Sequence, residues 1–250
     1  MFDLKGKTAL VTGGSRGLGA GICDCLGQAG ANVAVNYFNN AEAADEVVSR
    51  MDSQNCSAEK FQADVTSESE VKHLVRCVRE RFGAVDIVVV NATCLQVTKP
   101  LEMQTWDDYQ AMLDFFVKSP FLLMKEVVAE MKARRYGRFI NICSEVFELG
   151  NPHFAHYVGA KGAQLGMTRS WARELGEFGI TVNAVSPGWI PVERTAHWPK
   201  EAFEHYTSGV PLQRQGVSND IGSTVTFLAS DEANFITGQK IAVNGGNTLV

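Results

Sequence analysis

The sequence lacks the features that mark a secreted, membrane-bound or nucleic-acid-binding chain. Its six cysteines, Cys23, Cys25, Cys56, Cys77, Cys94 and Cys143, include no CxxC pair, and 250 residues can bury a core without disulfide staples. They read as reduced and structural. No apolar run approaches the roughly 20 residues of a membrane span, and Met1–Lys7 carries no basic segment followed by an apolar stretch. A cytoplasmic protein is expected. The formal charge is −5 and Lys and Arg gather into no run, so nucleic acid is not expected as a partner. There is no HExxH pattern; His153 and His156 lie close together, but His73, His197 and His205 are isolated, so no metal is expected. No Pro/Gly/Ser-rich linker divides the chain, which reads as a single domain over residues 1–250.

What is present is alternation. Short β-branched runs at Thr8–Thr12, Ala31–Asn36, Val85–Asn91, Gly137–Cys143, Thr181–Ser186 and Lys240–Asn244, with a weaker one at Glu59–Ala63, are separated by longer helix-like segments. That order predicts an α/β fold: a doubly wound sheet of about seven parallel strands with helices on both faces. Ligands of such sheets bind beyond the carboxyl ends of the strands.

The first chemical motif lies there. "VTGGSRGLGAG", Val11–Gly21, falls where the first strand turns into the first helix. Gly13, Gly17 and Gly19 lack Cβ atoms, so the backbone can bend tightly and bring a pyrophosphate against the N–H groups of a helix start. The spacing is TGxxxGxG rather than GxGxxG, and a tight turn needed only for the fold is the competing reading. An NAD enzyme usually places a carboxylate at the end of the second strand; here the chain runs Asn36, Tyr37, Phe38, Asn39, Asn40. With Arg16 inside the turn as a fork-shaped donor, this favours NADP over NAD, the alternative for Arg16 being a solvated loop charge.

The second motif is "HYVGAKGA", His156–Ala163. Residues four apart on a helix are neighbours, and of five tyrosines only Tyr157 has a lysine, Lys161, at that spacing. A phenol titrates near 10; bringing it to about 7 takes roughly 4 kcal/mol, within reach of a partly buried ammonium. The phenol then becomes a usable proton donor. Ser144, just after the strand Gly137–Cys143, adds a hydroxyl able to hold a substrate oxygen beside it.

Taken together, "TGGSRGLG", "VNAT", Ser144, "YVGAK", "SPGWI" and the closing "ITGQKIAVNGG" resemble the short-chain dehydrogenases/reductases over nearly the whole chain, and most closely their 3-oxoacyl-carrier-protein reductase branch. The resemblance implies a Rossmann-type fold, a nicotinamide cofactor and a homotetramer. It implies Tyr157 as general acid/base, Lys161 on the nicotinamide ribose and Ser144 orienting the substrate carbonyl. The cofactor contacts expected are Gly13, Ser15, Arg16, Gly17, Leu18 and Gly19 in the turn and Asn36 and Tyr37 at the end of the second strand. Asp64 and Val65 should flank the adenine, Asn91 and Ala92 back the cofactor, and Pro187, Gly188 and Ile190 line the nicotinamide beside Tyr157 and Lys161.

Three positions depart from the family pattern. Thr93 replaces the glycine of NNAG, and Val192 replaces a threonine that contacts the carboxamide. Phe116, in "FVKSPF", stands where the family has the asparagine of its fourth catalytic position. Pro120 has no N–H, so the carbonyl of Phe116 loses its helical donor and is free for the water of the family's proton relay. An active reductase is therefore expected; the alternative is a cofactor-binding protein with little or no turnover. The segment Trp189–Val210 holds Trp189, His197, Trp198, Phe203, His205 and Tyr206, suited to a lid over a hydrophobic pocket or to a subunit contact. A bulky, hydrophobic ketone or its secondary alcohol is the expected substrate, with Glu145, Phe147 and His153 near enough to Ser144 to tune recognition.

Overall fold

The structure, a computed structural model, describes residues 2–193 and 198–249. Seven strands form one parallel sheet: β1 (Thr8–Val11), β2 (Asn32–Tyr37), β3 (Ala58–Gln62), β4 (Ile87–Val90), β5 (Gly137–Ile142), β6 (Ile180–Pro187) and β7 (Lys240–Val243). Their spatial order is β3-β2-β1-β4-β5-β6-β7, a doubly wound, Rossmann-type arrangement in which the order reverses between β1 and β4. The register joins Leu10 to Val88 and Val11 to Val89 across that switch point. The predicted strands are found within two residues of their expected bounds.

β1 and β4, at the centre of the sheet, are almost wholly apolar because both faces are covered. In β1, Ala9 and Val11 face a layer formed by Ile22 and Leu26 of α1 (Gly17–Gln28) and Ile221, Val225 and Leu228 of α9 (Ser218–Ala229). Leu10, between them, faces the opposite layer, where Leu74 and Val78 of α3 (Glu68–Phe82), Leu123 and Val127 of α5 (Ser119–Arg134) and Leu175 of α7 (Ala155–Leu175) pack. This is the period-two alternation of a strand buried on both sides. The remaining helices are α2 (Ala41–Ser53), α4 (Trp106–Leu113), α6 (Val146–Leu149) and α8 (Lys200–Gly209). No described helix is long and apolar enough to cross a membrane.

Helix ends follow local chemistry. α4 opens on a capping box in which Thr105 and Asp108 satisfy each other's backbone N–H groups. α3 carries Glu68 and Glu70 in its first turn and Arg79 and Arg81 in its last, matching the helix dipole at both ends. Between α4 and α5 the chain does not break at Pro120. Asp114–Lys118 instead forms one wide π-turn, and the Ser119 N–H reaches the carbonyl of Asp114. A proline that cannot donate to the carbonyl four residues back disrupts the α-ladder at Phe116, and widening by one residue accommodates it. The wide turn delivers Phe116, buried, beside α7.

Candidate active site

The glycine turn is held open for a ligand by steric necessity. Gly13 has φ +61°, and a Cβ there would lie 2.9 Å from the Ala92 Cα. A Cβ on Gly19 would lie 2.2 Å from the carbonyl oxygen of Gly13 and 2.6 Å from Asn91 Nδ2. Ser15 is nearly buried, Arg16 is exposed at the N-cap of α1 and Leu18 packs on the core below. The Gly17 N–H points toward Glu193 Oε1 at 3.4 Å, so a carboxylate that the sequence did not single out stands at the positive end of α1. A narrow cradle of unobstructed backbone at a helix start fits the pyrophosphate of a dinucleotide.

The strand ends around the cradle are tied by side chains. Thr12, also not singled out by the sequence, is a hub: its hydroxyl donates to the Val89 carbonyl at 3.3 Å and accepts from the N–H groups of Asn91 and Ala92 at 2.9 and 3.0 Å. Asn91 Nδ2 returns to the carbonyls of Thr12 and Gly13 at 3.0 and 3.1 Å. Asn36 accepts from the Gly13 N–H at 3.2 Å and donates to the carbonyls of Phe61 and Ala63 at 3.3 and 3.1 Å. Its amide thus joins β2, β3 and the glycine turn. Tyr37 is buried beside it, and Phe38 projects into solvent. Asn40 caps α2 through the Ala43 N–H at 3.0 Å. Asp64 closes a turn by accepting from the N–H and hydroxyl of Thr66 at 2.8 and 2.7 Å, with Val65 buried next to it.

The chemistry-bearing residues come from β5 and α7. Ser144 follows β5, and its hydroxyl oxygen lies 3.4 Å from the Val146 N–H. Tyr157 sits in the first turn of α7, 7% exposed, between the rings of Phe154 at 4.8 Å and Phe116 at 5.3 Å. One turn on, Lys161 Nζ donates to the Ile142 carbonyl at 2.7 Å and to Gln164 Oε1 at 3.1 Å. It lies 5.6 Å from the centre of the Tyr157 ring, close enough for its charge to favour negative charge on the phenolic oxygen. Burial pushes the neighbouring Cys143 thiol up to about 11, which leaves it protonated and removes it as a nucleophile.

β6 completes the cleft. Pro187 ends that strand and accepts from the Glu145 N–H at 3.1 Å; the Gly188 N–H donates to the Val243 carbonyl at 3.1 Å, and Ile190 is buried. Glu145, next to Ser144, accepts from the Tyr206 hydroxyl at 2.7 Å and from Asn244 and Asn247 at 3.0 Å each. The Tyr206 oxygen in turn accepts from the Trp189 N–H at 2.9 Å. A buried carboxylate therefore pins α8 and the tail after β7 to the end of β5, a role visible only once residues about 60 and 100 positions apart meet in space. Burial and the bond to Glu145 both raise the Tyr206 phenol above its ordinary value, so it stays a donor. Trp189 stacks on Phe203 at 4.5 Å and meets Trp198 and Tyr206 edge-on at 5.0 and 5.6 Å. The aromatic segment thus packs largely against itself; His205 lies on α8, and His197 lies outside the described residues. Glu145→Ala removes three hydrogen bonds, one from the buried Asn244 and two from the half-buried Tyr206 and Asn247, and is expected to lower stability by about 2–3 kcal/mol, read from the urea midpoint.

This arrangement has counterparts in known proteins. A family model described as Enoyl-(Acyl carrier protein) reductase matches residues 13–248. The chain is 42% identical over 242 residues to the 3-oxoacyl-[acyl-carrier-protein] reductase FabG of Staphylococcus aureus, covering 96% of this chain and 97% of that one. It is 32% identical over 249 residues to a 2-dehydro-3-deoxy-D-gluconate 5-dehydrogenase of Formosa agariphila, covering 98% of this chain and 94% of that one. A crystal structure from Agrobacterium tumefaciens, provisionally assigned as a gluconate dehydrogenase, superposes with a TM-score of 0.94 at 33% identity over 100% of this chain and 99% of that one. The chain belongs to the short-chain dehydrogenases/reductases and is an NAD(P)-dependent oxidoreductase of keto and alcohol groups.

Proposed function

We propose that the protein is a cytoplasmic, NADP-preferring carbonyl reductase acting on a bulky, hydrophobic ketone, or on its secondary alcohol in reverse. The observation that carries the reading is the juxtaposition of Tyr157 and Lys161 on α7 at the carboxyl end of β5, where Ser144 also stands. When bound, the nicotinamide supplies or takes up the hydride. Ser144 donates a hydrogen bond to the carbonyl oxygen and holds it toward the phenol. Tyr157 gives that oxygen its proton, and the Lys161 charge stabilises the phenolate left behind. Gly13, Ser15, Gly17, Leu18 and Gly19 hold the pyrophosphate. Asn36, Tyr37, Asp64 and Val65 border the adenosine half; Asn91, Ala92, Pro187, Gly188 and Ile190 border the nicotinamide half.

The preference for NADP rests on Arg16. With Asn36 and Asn40 engaged in backbone bonds, no carboxylate stands at the end of β2 to repel a 2′-phosphate, and Arg16 is an exposed fork-shaped donor nearby in the turn. Arg16→Ala is expected to weaken NADPH about tenfold and to leave NADH unchanged, because a charge-assisted bond to the extra phosphate is lost. Fluorescence titration with both cofactors checks this; equal weakening of the two removes the assignment.

The apolar substrate is supported by the wall beside Tyr157, where Phe154, Val146, Met112 and Cys94 gather, with Leu95 and Phe147 exposed nearby in sequence. A ketone panel containing aryl ketones, a 3-oxoacyl thioester and a keto sugar acid, followed at the reduced-nicotinamide absorbance band, tests it. Turnover of apolar ketones is the expected result; turnover of the sugar acid alone removes the substrate reading. NADPH binding without any substrate-dependent oxidation would mean a cofactor-binding protein instead. A homotetramer is part of the same proposal, supported by the exposed Leu101, Met103, Trp106 and Phe121 and read by sedimentation.

A further inference from the structure

The family pattern places an asparagine at position 116, and here a buried phenyl ring occupies it. A second unusual residue lies nearby. Gln164 is 0% exposed on α7, three residues after Lys161 and on the same side of the helix. A primary amide is a costly occupant of a core unless every polar atom finds a partner, and an aliphatic side chain of similar size would avoid that cost. We propose that Phe116 and Gln164 act together as positioning residues for the Lys161 ammonium. The inference rests on the Tyr157–Lys161 reading given above.

The orientation of the amide follows from its partners. Gln164 Nε2 donates to Asn141 Oδ1 at 3.4 Å, Asn141 Nδ2 donates to Thr168 Oγ1 at 2.9 Å, and the Thr168 hydroxyl donates to the Gln164 carbonyl at 2.9 Å. With its N–H side committed to β5, Gln164 turns its oxygen toward Lys161 Nζ, 3.1 Å away. The Ile142 carbonyl approaches the same ammonium at 2.7 Å. Phe116 presents its ring face, with Nζ 3.6 Å from the centroid. A ring face attracts a cation most strongly where water is excluded, as it is here. The same ring meets Tyr157 edge-on at 5.3 Å, so one side chain touches both members of the pair. The π-turn is what brings it there. An oxygen acceptor, a carbonyl and a π-face together hold a charged nitrogen buried beneath the phenol.

Gln164→Leu removes the acceptor and keeps the volume; Phe116→Leu removes the π-face. Each is expected to lower kcat about tenfold, equivalent to ~1.4 kcal/mol, and to move the limb of the kcat/KM profile that depends on Tyr157 up by about one pH unit. The KM for the ketone should change less than about twofold, because both residues are buried. NADPH affinity, read by fluorescence, should weaken several-fold through the displaced ammonium. Where Gln164→Leu does not fold, Phe116→Leu and Phe116→Tyr carry the same test, the tyrosine keeping its ring face and the wild-type profile. Single variants with unchanged kcat, pH profile and NADPH affinity overturn the proposal. Wild-type turnover that survives Tyr157→Phe defeats the reductase mechanism instead, and a Tyr157-dependent enzyme indifferent to residues 116 and 164 defeats only the positioning role.

Discussion

Tyr157→Phe is expected to lower kcat by about 10³-fold while leaving NADPH binding and stability nearly unchanged, because it removes the proposed proton donor and keeps the ring. The ring stays where it is: Phe154 and Phe116 grip its faces and edge, and neither contact uses the hydroxyl. Steady-state reduction of a ketone, read as NADPH consumption, gives kcat; fluorescence titration gives the cofactor affinity. The neighbouring candidate for a substitute donor is His156, and it is poorly placed. Its ring is buried and enclosed edge-on by Tyr109 at 6.0 Å and by Phe154 at 5.7 Å. Retained kcat in Tyr157→Phe would therefore mean that the proton comes from water or from another group in the cleft. Lys161→Met should lower kcat as well, and also weaken NADPH, which separates a residue that serves both proton and cofactor from one that serves the proton alone.

The juxtaposition of Tyr157 and Lys161 was legible in the sequence because its geometry is local. Residues four apart on one helix are neighbours whatever the rest of the chain does. The same holds for the glycine turn and for the strands, whose unbroken apolar runs reflect burial on both faces. Phe116 was legible as a departure, and Pro120 as the cause of a disturbed helix, but not the form of the disturbance: whether a helix breaks, kinks or widens at a proline depends on what packs around it. Gln164 gave no signal, since a glutamine on an amphipathic helix ordinarily faces water; only the sheet position of Asn141 reveals that this one is buried and paired. Glu145 could be suspected from its place beside Ser144, yet its partners Tyr206, Asn244 and Asn247 come from elements that only the fold brings together. Asn36 was expected from its position at the end of β2, and the structure adds four bonds that tie it to neighbouring backbone. The aromatic density of Trp189–Val210 was visible, but its mutual stacking around Trp189 was not, because composition does not tell a lid's lining from its own core.

Alanine at the three glycines of the cradle should produce a graded loss, largest at Gly19. There the new methyl has no room to adjust: the obstructing atoms are the backbone oxygen of Gly13 at 2.2 Å and the Asn91 amide at 2.6 Å, which itself holds the Thr12 and Gly13 carbonyls. Relieving the overlap means moving the turn away from β4, and that both opens the anion cradle and breaks the ties between β1 and β4. Loss of NADPH affinity beyond about 100-fold is expected, with a stability cost of about 2–4 kcal/mol from overpacking and lost hydrogen bonds. At Gly13 the clash is milder, 2.9 Å from the Ala92 Cα, but φ is +61°, so left-handed strain of about 1–2 kcal/mol adds to it. Gly17 also has a positive φ, +53°, yet its Cβ would meet only the ends of Glu193 and Val192 at 3.2 Å, side chains that can move. Strain alone remains there, and NADPH binding should weaken least. Urea midpoints and NADPH titrations of the three variants give the ranking directly. If Gly17→Ala proved the most damaging, the cradle would be limited by side-chain crowding at the mouth of the cleft rather than by backbone packing beneath it.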